Sequence, residues 1–390
     1  MSSFAIPKQI VSFLRCLEAA GYQAYLVGGC VRDGLMHLEP HDWDVCTDAI
    51  PDELMTLFPN SLTYGMRHGT VTVKWDDLFI EVTTFRSEGK YTDRRRPDHV
   101  SFIKDLREDL ARRDFTVNAI AMGADGNLHD PFHGVQDLQA GVIRAVGSPE
   151  MRFQEDALRM LRAIRFSAQL GFMITPETQN AIRSCAPLTS SLSVERVAQE
   201  IEKTLLTERP SNIADMISFG LLRNWLSISA LEKAEKLNLL APERIRRWCG
   251  FCLLLQIDGE EVLNRFRLDR KTIEISRCCS VIRKQRSRNI LFWKQTIHQY
   301  GKETAEIAAE VLSVLDRTDD EQILHSILDR GDCCMISELA INGSDMKMIG
   351  LSGKEIGSAL EAALRHVWLF PDQNVREELL NFLERNDGHG

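Results

Sequence analysis

Two short segments near the amino terminus combine residue types suited to handling a nucleoside triphosphate. The segment from Tyr25 to Asp33 reads Tyr-Leu-Val-Gly-Gly-Cys-Val-Arg-Asp, an apolar run that enters a Gly-Gly pair. A strand that turns tightly into a helix start presents free backbone N–H groups, which bind phosphate. In the second segment, Asp42-Trp43-Asp44-Val45, strand alternation puts both carboxylates on one face and Trp43 and Val45 towards the core. A carboxylate pair suits Mg²⁺, so the two segments together are typical of metal-dependent nucleotidyl transfer.

A third carboxylate is expected to complete this metal site, and two residues compete for the role. Glu81 lies in the apolar, β-branched run 79–85, where a charge needs a partner. Asp114, in Arg-Arg-Asp-Phe, is the other candidate. Glu81 could also be an edge-strand residue that simply faces water.

A second group of charged residues follows at 154–166, where apolar residues recur at steps of three and predict a helix. Asp156 and Arg159 then lie one turn apart and can address one object, while Arg165 faces elsewhere. A carboxylate and a guanidinium together match the amino donor and ring-nitrogen acceptor of cytosine and adenine, and not the opposite order of uracil and guanine. The alternative is an ordinary intrahelical salt bridge between Asp156 and Arg159.

The elements that must position these residues change along the chain. Alternating runs predict strands at 24–27, 42–46, 70–75 and 78–85, with the last two joined as a hairpin through Asp76-Asp77. After about residue 150 the apolar residues recur at three and four, interrupted by prolines, which predicts linked helices. The chain is therefore expected to be α+β, with a small α/β head followed by a helical arm. Between the two groups of candidate residues, the polar, basic stretch 86–99 predicts a mobile loop that could close over a substrate.

Composition limits the cellular context. The 390-residue chain has neither a membrane-spanning apolar stretch nor a signal peptide, so a cytoplasmic protein without a membrane partner is expected. Its ten cysteines lie in apolar contexts and indicate buried thiols. Cys249 and Cys252, together with Cys278-Cys279, could alternatively form a zinc site, although the first pair lies in what looks like a buried helix.

Charge is distributed unevenly along the chain. The formal net charge of the whole is −9, yet residues 262–289 hold nine Lys or Arg against two Asp or Glu, a net charge of +7. Such a stretch on helices can follow a phosphate backbone. The alternative is a solvated helical face with mixed salt bridges.

Several of these motifs occur together in one known family. Gly-Gly-Cys-Val-Arg-Asp, Asp-Trp-Asp-Val, Arg-Arg-Asp-Phe-Thr-Val-Asn-Ala-Ile-Ala at 112–121, the Glu-Asp-Ala-Leu-Arg run and Ser-Val-Glu-Arg at 193–196 all match. The sequence closely resembles the bacterial class II tRNA nucleotidyltransferases, the CCA-adding enzymes, which share their head with bacterial poly(A) polymerases. The resemblance is dense from about residue 22 to 205. It implies a catalytic head with a mixed sheet at 1–150, a helical nucleotide-recognition neck at 151–210 and a helical, RNA-binding body and tail at 211–390.

The resemblance also implies roles for individual residues. Asp42 and Asp44 would hold two Mg²⁺ ions, and Asp156 with Arg159 would select the base. Nucleotide contacts would come from Gly29, Arg32, Arg113, Arg162 and Arg165.

The implied reaction is attack of the 3′-hydroxyl of tRNA on the α-phosphate of CTP, twice, and then of ATP, with release of pyrophosphate. Alternatives left open are a poly(A) polymerase, an enzyme that adds only A or only CC, and a non-catalytic RNA-binding module. The carboxyl terminus lacks the long basic extension usual in poly(A) polymerases, and the basic 86–97 loop speaks against CC-only addition.

Overall fold

The computed structural model describes residues 6–40, 42–62, 69–88, 100–257, 259–285 and 287–387. The chain divides into two compact units, Met1–Leu231 and Glu232–Gly390. In the described ranges no helix has both the length and the apolar character needed to cross a membrane. The predicted finer division at residues 150 and 210 stays a prediction.

The first unit is built around a mixed sheet, as predicted, and this sheet has six strands. The strand order is β3-β4-β2-β1-β7-β8; β2 runs parallel to β4, and the other neighbours are antiparallel. Two smaller ladders pair β5 with β6 and β9 with β10. The strands are β1 Ala24–Val27, β2 Trp43–Thr47, β3 Thr70–Trp75, β4 Leu78–Thr84, β5 Arg86–Glu88, β6 Val100–Phe102, β7 Ala121–Met122, β8 Leu128–His129, β9 Val142–Ile143 and β10 Met173–Ile174.

Four of these strands were predicted, each to within one residue at either end. The β3–β4 hairpin is confirmed, and its turn places Asp76 in the left-handed region at φ 52°. The predicted loop 86–99 begins and ends differently, since residues 86–88 pair with residues 100–102. Its centre, residues 89–99, lies outside the described residues, so the predicted closure is untested.

The two faces of the main sheet cover separate apolar clusters. One cluster includes Val45 and residues of the first helix, with Trp43 packed against it. The other includes Val27, Cys46 and Leu110. Trp43 and Val45 thus face the core opposite Asp44, as alternation along β2 predicts.

The helices of the first unit include one correction to the sequence analysis. The predicted single helix over 154–166 is wrong, because the chain leaves helical geometry at Asp156, which has φ −139° and ψ 106°. Its carboxylate accepts a hydrogen bond from the backbone N–H of Leu158 (3.0 Å), a local bond that competes with helix continuation. The helices are α1 Lys8–Ala19, α2 Gly29–Leu35, α3 Pro51–Leu57, α4 Leu106–Ala111, α5 Gly134–Ala140, α6 Pro149–Glu155, α7 Leu158–Leu170, α8 Pro176–Cys185, α9 Val194–Leu205 and α10 Ile213–Ser218.

The second unit is helical throughout the part that the structure describes. Its helices are α11 Arg244–Leu255, α12 Gly259–Arg265, α13 Arg270–Arg283, α14 Ile290–Tyr300, α15 Lys302–Asp316, α16 Asp320–Asp329, α17 Gly343–Met348, α18 Lys354–Leu369 and α19 Arg376–Asp387. Asp269 caps α13 by accepting from the N–H of Thr272 (3.0 Å).

The ten cysteines are free thiols, and all except Cys16 are buried. Cys249 and Cys252 lie on α11, and Cys278 and Cys279 lie on α13. Across the described ranges no group of three or more Cys, His, Asp or Glu side chains could hold a metal ion. These cysteines therefore pack as small apolar residues, and the zinc alternative has no support.

Candidate active site

The Gly-Gly turn brings the first two segments together. β1 ends at Val27 and α2 starts at Gly29. Between them, Gly28 has φ 80° and ψ −130°, values accessible to glycine and strained for other residues. A Cβ at position 28 would lie 3.4 Å from Nη1 of Arg113 and 3.8 Å from Oδ2 of Asp44. The turn, a guanidinium and a carboxylate thus meet at one place on the head.

The carboxylates gather on one face of the sheet. Asp44 of β2 lies directly opposite Glu81 of the parallel strand β4, and Asp42 precedes β2 by one residue. Burial, followed by the charges of Glu81 and Asp42, raises the pKa of Asp44 to about 6, while Arg113 acts in the opposite direction. A surplus of negative charge that one arginine only partly offsets is a suitable setting for a divalent cation.

The two aspartates, Asp42 and Asp44, suit a metal ion that also takes ligands from substrate and water. As stated above for the described ranges, no three protein side chains form a complete metal site by themselves. Mg²⁺ is commonly bound by one or two carboxylates, with substrate phosphates and water supplying the remaining oxygens. Asp42 and Asp44 provide that number of ligands.

Asp114, the other candidate for the third carboxylate, is engaged elsewhere. It is 8% exposed, and one oxygen accepts from Arg162 through Nε at 2.8 Å and Nη2 at 2.6 Å. The second oxygen accepts from Nδ2 of Asn118 (3.2 Å) and from the N–H of Phe115 (2.9 Å). Burial alone would raise the pKa of Asp114, but the charge and hydrogen bond of Arg162 bring it down to about 2. This arrangement favours Glu81 over Asp114 as the third acidic residue.

Arg32 joins α2 to this network. It is 4% exposed, donates from Nη1 to Oδ1 of Asn118 (2.8 Å) and pairs with Asp33 (2.7 Å). Asn118 therefore links Arg32 to Asp114, and through it to Arg162 on α7.

Three arginines surround the ring of Phe166. The guanidinium carbons of Arg32, Arg162 and Arg165 lie 5.4, 5.2 and 3.8 Å from its centroid, within the range of cation–π attraction. Arg165 also pairs with Glu200 of α9 (2.7 Å). Phe166 thus assembles three of the predicted nucleotide-binding residues, although it was not itself predicted to belong to the site.

Arg113 is partly satisfied. Its Nη2 lies 3.3 Å from Asp109, a fully buried carboxylate that also binds Arg112 (2.7 Å). Burial would lower the pKa of Arg113, but Asp109 raises it overall. The Nε of Arg113 is buried, and no described residue accepts its hydrogen. The Nη1 of the same guanidinium is the atom that lies beside the Gly-Gly turn, where a charged donor suits a phosphate oxygen.

The two residues predicted to read a base are each held by a different partner. Asp156, at the junction of α6 and α7, accepts from Nη2 of Arg196 (2.8 Å). Arg159, on the first turn of α7, binds Glu155 (2.5 Å) and donates from Nη2 to the carbonyl of Arg112 (2.9 Å). The simple intrahelical pair considered above thus does not account for their placement.

Residues 112–114 connect the two groups of candidate residues. The carbonyl of Arg112 accepts from Arg159, Arg113 contacts the Gly-Gly turn, and Asp114 binds Arg162. Hydrogen bonds therefore join residues 112–114 to the base-reading side, and the proximity and charge of Arg113 join them to Asp44 on the metal side.

Sequence reasoning assigned no role to Asn118, Phe166 or Arg196. Asn118 and Arg196 lie inside the motifs noted above, and Phe166 ends the run that carries the α7 arginines. A polar residue inside a motif is the signal that could have identified Asn118, which is buried, and Arg196, which is half-buried.

A Gly-Gly turn beside paired carboxylates on a mixed sheet, followed by helices, is typical of a nucleotidyltransferase, and comparison with known proteins agrees. Three family models match: the Poly A polymerase head domain at residues 24–144, the probable RNA and SrmB-binding site of polymerase A at 171–233 and the putative tRNA nucleotidyltransferase domain 2 at 241–383. The CCA-adding enzyme of Anoxybacillus flavithermus is 38% identical over 370 residues, covering 92% of this chain and 91% of the relative. That of Geobacillus sp. is 38% identical over 375 residues, covering 92% and 93%.

Solved structures lead to the same family. The Bacillus stearothermophilus CCA-adding enzyme in complex with CTP aligns with a TM-score of 0.81 and 32% identity, covering 98% of both chains. The Thermotoga maritima CCA-adding enzyme complexed with tRNA shares the fold, with a TM-score of 0.74 and 24% identity. This chain belongs to the CCA-adding enzymes, a family of nucleotidyltransferases that use divalent metal ions.

Proposed function

We propose that this protein adds C, C and A to the 3′ end of tRNA from CTP and ATP, without a nucleic-acid template. The observation that carries the proposal is the assembly around residues 112–114, which joins an aspartate pair beside a Gly-Gly turn to a separate carboxylate and guanidinium able to read a base. One part suits the triphosphate and the other suits base choice.

Each part has a defined task in this proposal. The Gly28-Gly29 turn admits the triphosphate close to the backbone, and Arg32 and Arg113 bind its phosphates, the latter through the Nη1 beside the turn. Asp156 and Arg159 read the base edge. Arg162 and Arg165, held around Phe166, keep α7 in place and complete the nucleotide contacts.

Asp42 and Asp44 would hold Mg²⁺, with Glu81 as the third acidic residue. When bound, the metal supplies activation of the attacking 3′-hydroxyl and neutralisation of the charge on the leaving pyrophosphate. Asp44 is oriented for this by its strand register against Glu81. The chain's own contribution is thus to place the hydroxyl, the α-phosphate and the leaving group in line.

The test uses tRNA transcripts that end before the first C, after CC and after CCA, each supplied with CTP, ATP or both. Products are measured at single-nucleotide resolution. Growth that stops at CCA supports the proposal.

Each alternative gives a different product in this assay. Extension of only the CC-ending transcript, with ATP, would identify an A-adding enzyme, and products that stop at CC would identify a CC-adding enzyme. A long adenosine tract would identify a poly(A) polymerase. No incorporation with any metal would leave only an RNA-binding role.

A further inference from the structure

The structure divides the basic stretch 262–289 into paired cations and exposed ones. Within the described ranges, at least four of its basic residues form ion pairs with carboxylates. These pairs are Arg265 with Glu261, Lys271 with Glu303, Arg283 with Asp316 and Arg288 with Asp320. The salt-bridge interpretation of this stretch is therefore correct for part of it.

Three other cations lie along one side of α13. Arg270, Arg277 and Lys284 are exposed, and none of them forms an ion pair with a described carboxylate. They are spaced at seven residues, and Lys284 continues the helical geometry as the C-cap. Seven helical residues advance about 10.5 Å and rotate the face by only about 20°. The three charges thus form a straight row.

A cavity of about 480 Å³ opens between the second and third of these cations. On one side it is lined by Arg277, Ser280, Val281 and Lys284, which share the face of α13 at spacings of three, four and seven. The opposite side is the end of α11, where Leu253, Gln256 and Ile257 face the cavity. The walls are therefore apolar with polar edges, and the rim is positively charged. We call the row of cations and this cavity the α13 groove.

We propose that the α13 groove binds one strand of RNA, with phosphates on Arg270, Arg277 and Lys284 and one nucleoside in the cavity between the last two. The argument is charge complementarity: a linear row of cations that form no ion pair with a described carboxylate matches a polymer with regularly spaced anionic charges. The exposed Glu274, one turn from both Arg270 and Arg277, reduces the net charge of this face from +3 to +2. The cavity is large enough for a base and its ribose, since ligand sites of about 300–1,000 Å³ hold molecules of that size. Paired cations such as Lys271 already interact with a carboxylate and are therefore less available to bind a phosphate.

The proposal rests on the proposed function only in taking tRNA as the RNA. Its test is therefore a binding measurement rather than nucleotide addition. Wild-type protein that binds tRNA without extending it would disprove the proposed function and still test the groove.

The first experiment compares tRNA affinity by fluorescence anisotropy at several salt concentrations. Arg270→Ala/Arg277→Ala/Lys284→Ala should weaken binding about 10- to 100-fold and lower the slope of log affinity against log salt by about 2. Lys271→Ala, on the same helix and in an ion pair, removes one charge as a matched control and should change the affinity less than twofold. Ser280→Leu narrows the cavity without changing charge and should weaken binding severalfold.

The second experiment uses unmutated protein, so that it does not depend on a variant folding correctly. An amine-reactive acetylating reagent labels both Lys271 and Lys284, which are exposed. Bound tRNA should reduce labelling of Lys284 at least threefold and leave that of Lys271 nearly unchanged. Equal labelling of Lys284 with and without saturating tRNA, or wild-type affinity in the triple variant, would overturn the proposal.

Discussion

The two arginine-rich helices α7 and α13 differ in how their basic residues are spaced, and their environments differ accordingly. On α7 the spacing is three residues, which turns each successive side chain by about 60°, so that Arg159, Arg162 and Arg165 point to different neighbours. Each of them binds a different carboxylate, in the order Glu155, Asp114 and Glu200. On α13 the spacing is seven, and the side chains form a row towards solvent.

Basic residues thus have different roles on the two helices: those of α7 are held in position, and those of α13 present charge to the solvent. A buried guanidinium with fixed carboxylate partners is held in one orientation, which recognition of a small ligand requires. An exposed row of cations fixes no orientation and attracts a polyanion through charge. Single variants in the first unit should therefore cause large losses of incorporation or of base selectivity. Single variants in the second unit should cause small, salt-dependent losses of tRNA affinity.

The largest effect is expected at the carboxylates. Asp44→Asn should reduce incorporation from labelled CTP by about 10³-fold or more, because a lost metal ligand removes several kcal/mol of transition-state stabilisation. Asp52→Asn, the same change at an exposed residue of α3, is the control and should behave as wild type. Incorporation near the wild-type rate in Asp44→Asn, with an unchanged thermal midpoint, would remove the proposed mechanism.

The next effect concerns the ion pair that links the head to α7. Asp114→Asn leaves the half-buried Arg162 against a neutral partner and should lower the free energy of unfolding at pH 7 by about 2 to 4 kcal/mol. In the folded protein the pKa of Asp114 is about 2, below its ordinary value of 3.8. The carboxylate therefore stabilises the fold above about pH 4, and this contribution is lost as the pH falls towards 2.

Urea unfolding of wild type and Asp114→Asn between pH 7 and pH 3 measures this dependence. The difference in stability should be constant from pH 7 to about pH 5 and should then narrow as the pH decreases. A difference that stays the same at pH 3 would mean that the ionised form of Asp114 contributes nothing.

Base choice should respond less strongly. Arg159→Ala should reduce the preference for CTP and ATP over UTP by about 10- to 100-fold, since each base contact contributes about 1 to 3 kcal/mol of discrimination. Arg196→Ala should have a smaller effect, because Asp156 keeps its hydrogen bond from Leu158. Competition assays with mixed nucleotides measure both, and Arg196→Lys should restore part of the preference. An unchanged ratio in Arg159→Ala would refute the base-reading role.

The sequence allowed prediction of those elements whose pattern is local. Strands β1 to β4 follow from alternation over a few residues, and the facing of Trp43 and Val45 follows from their position in β2. The break at Asp156 was missed because apolar residues keep a helical spacing through the junction. At that junction the helix is interrupted by the side chain of Asp156, which accepts a hydrogen bond from the backbone N–H of Leu158.

The partners of the α7 arginines were beyond the reach of sequence reasoning. Arg162 binds a residue 48 positions away, and Arg165 binds one 35 positions away. Such contacts depend on how α7 packs against α9 and against residues 112–114. The same reasoning could count the charges of 262–289 but could not tell which of them have carboxylate partners.

The smallest effect is expected where a cation of the basic stretch is exposed and already paired. Arg265 binds Glu261 one turn away on α12, with 42% of its side chain exposed. Such surface pairs contribute about 0.2 to 1 kcal/mol, so Arg265→Ala should shift the urea midpoint only slightly. Its tRNA affinity should also stay within twofold of wild type, because neutralised arginines outside the α13 row add little to the attraction of RNA. A loss as large as that of a row residue would show that net charge alone, rather than its arrangement along α13, controls binding.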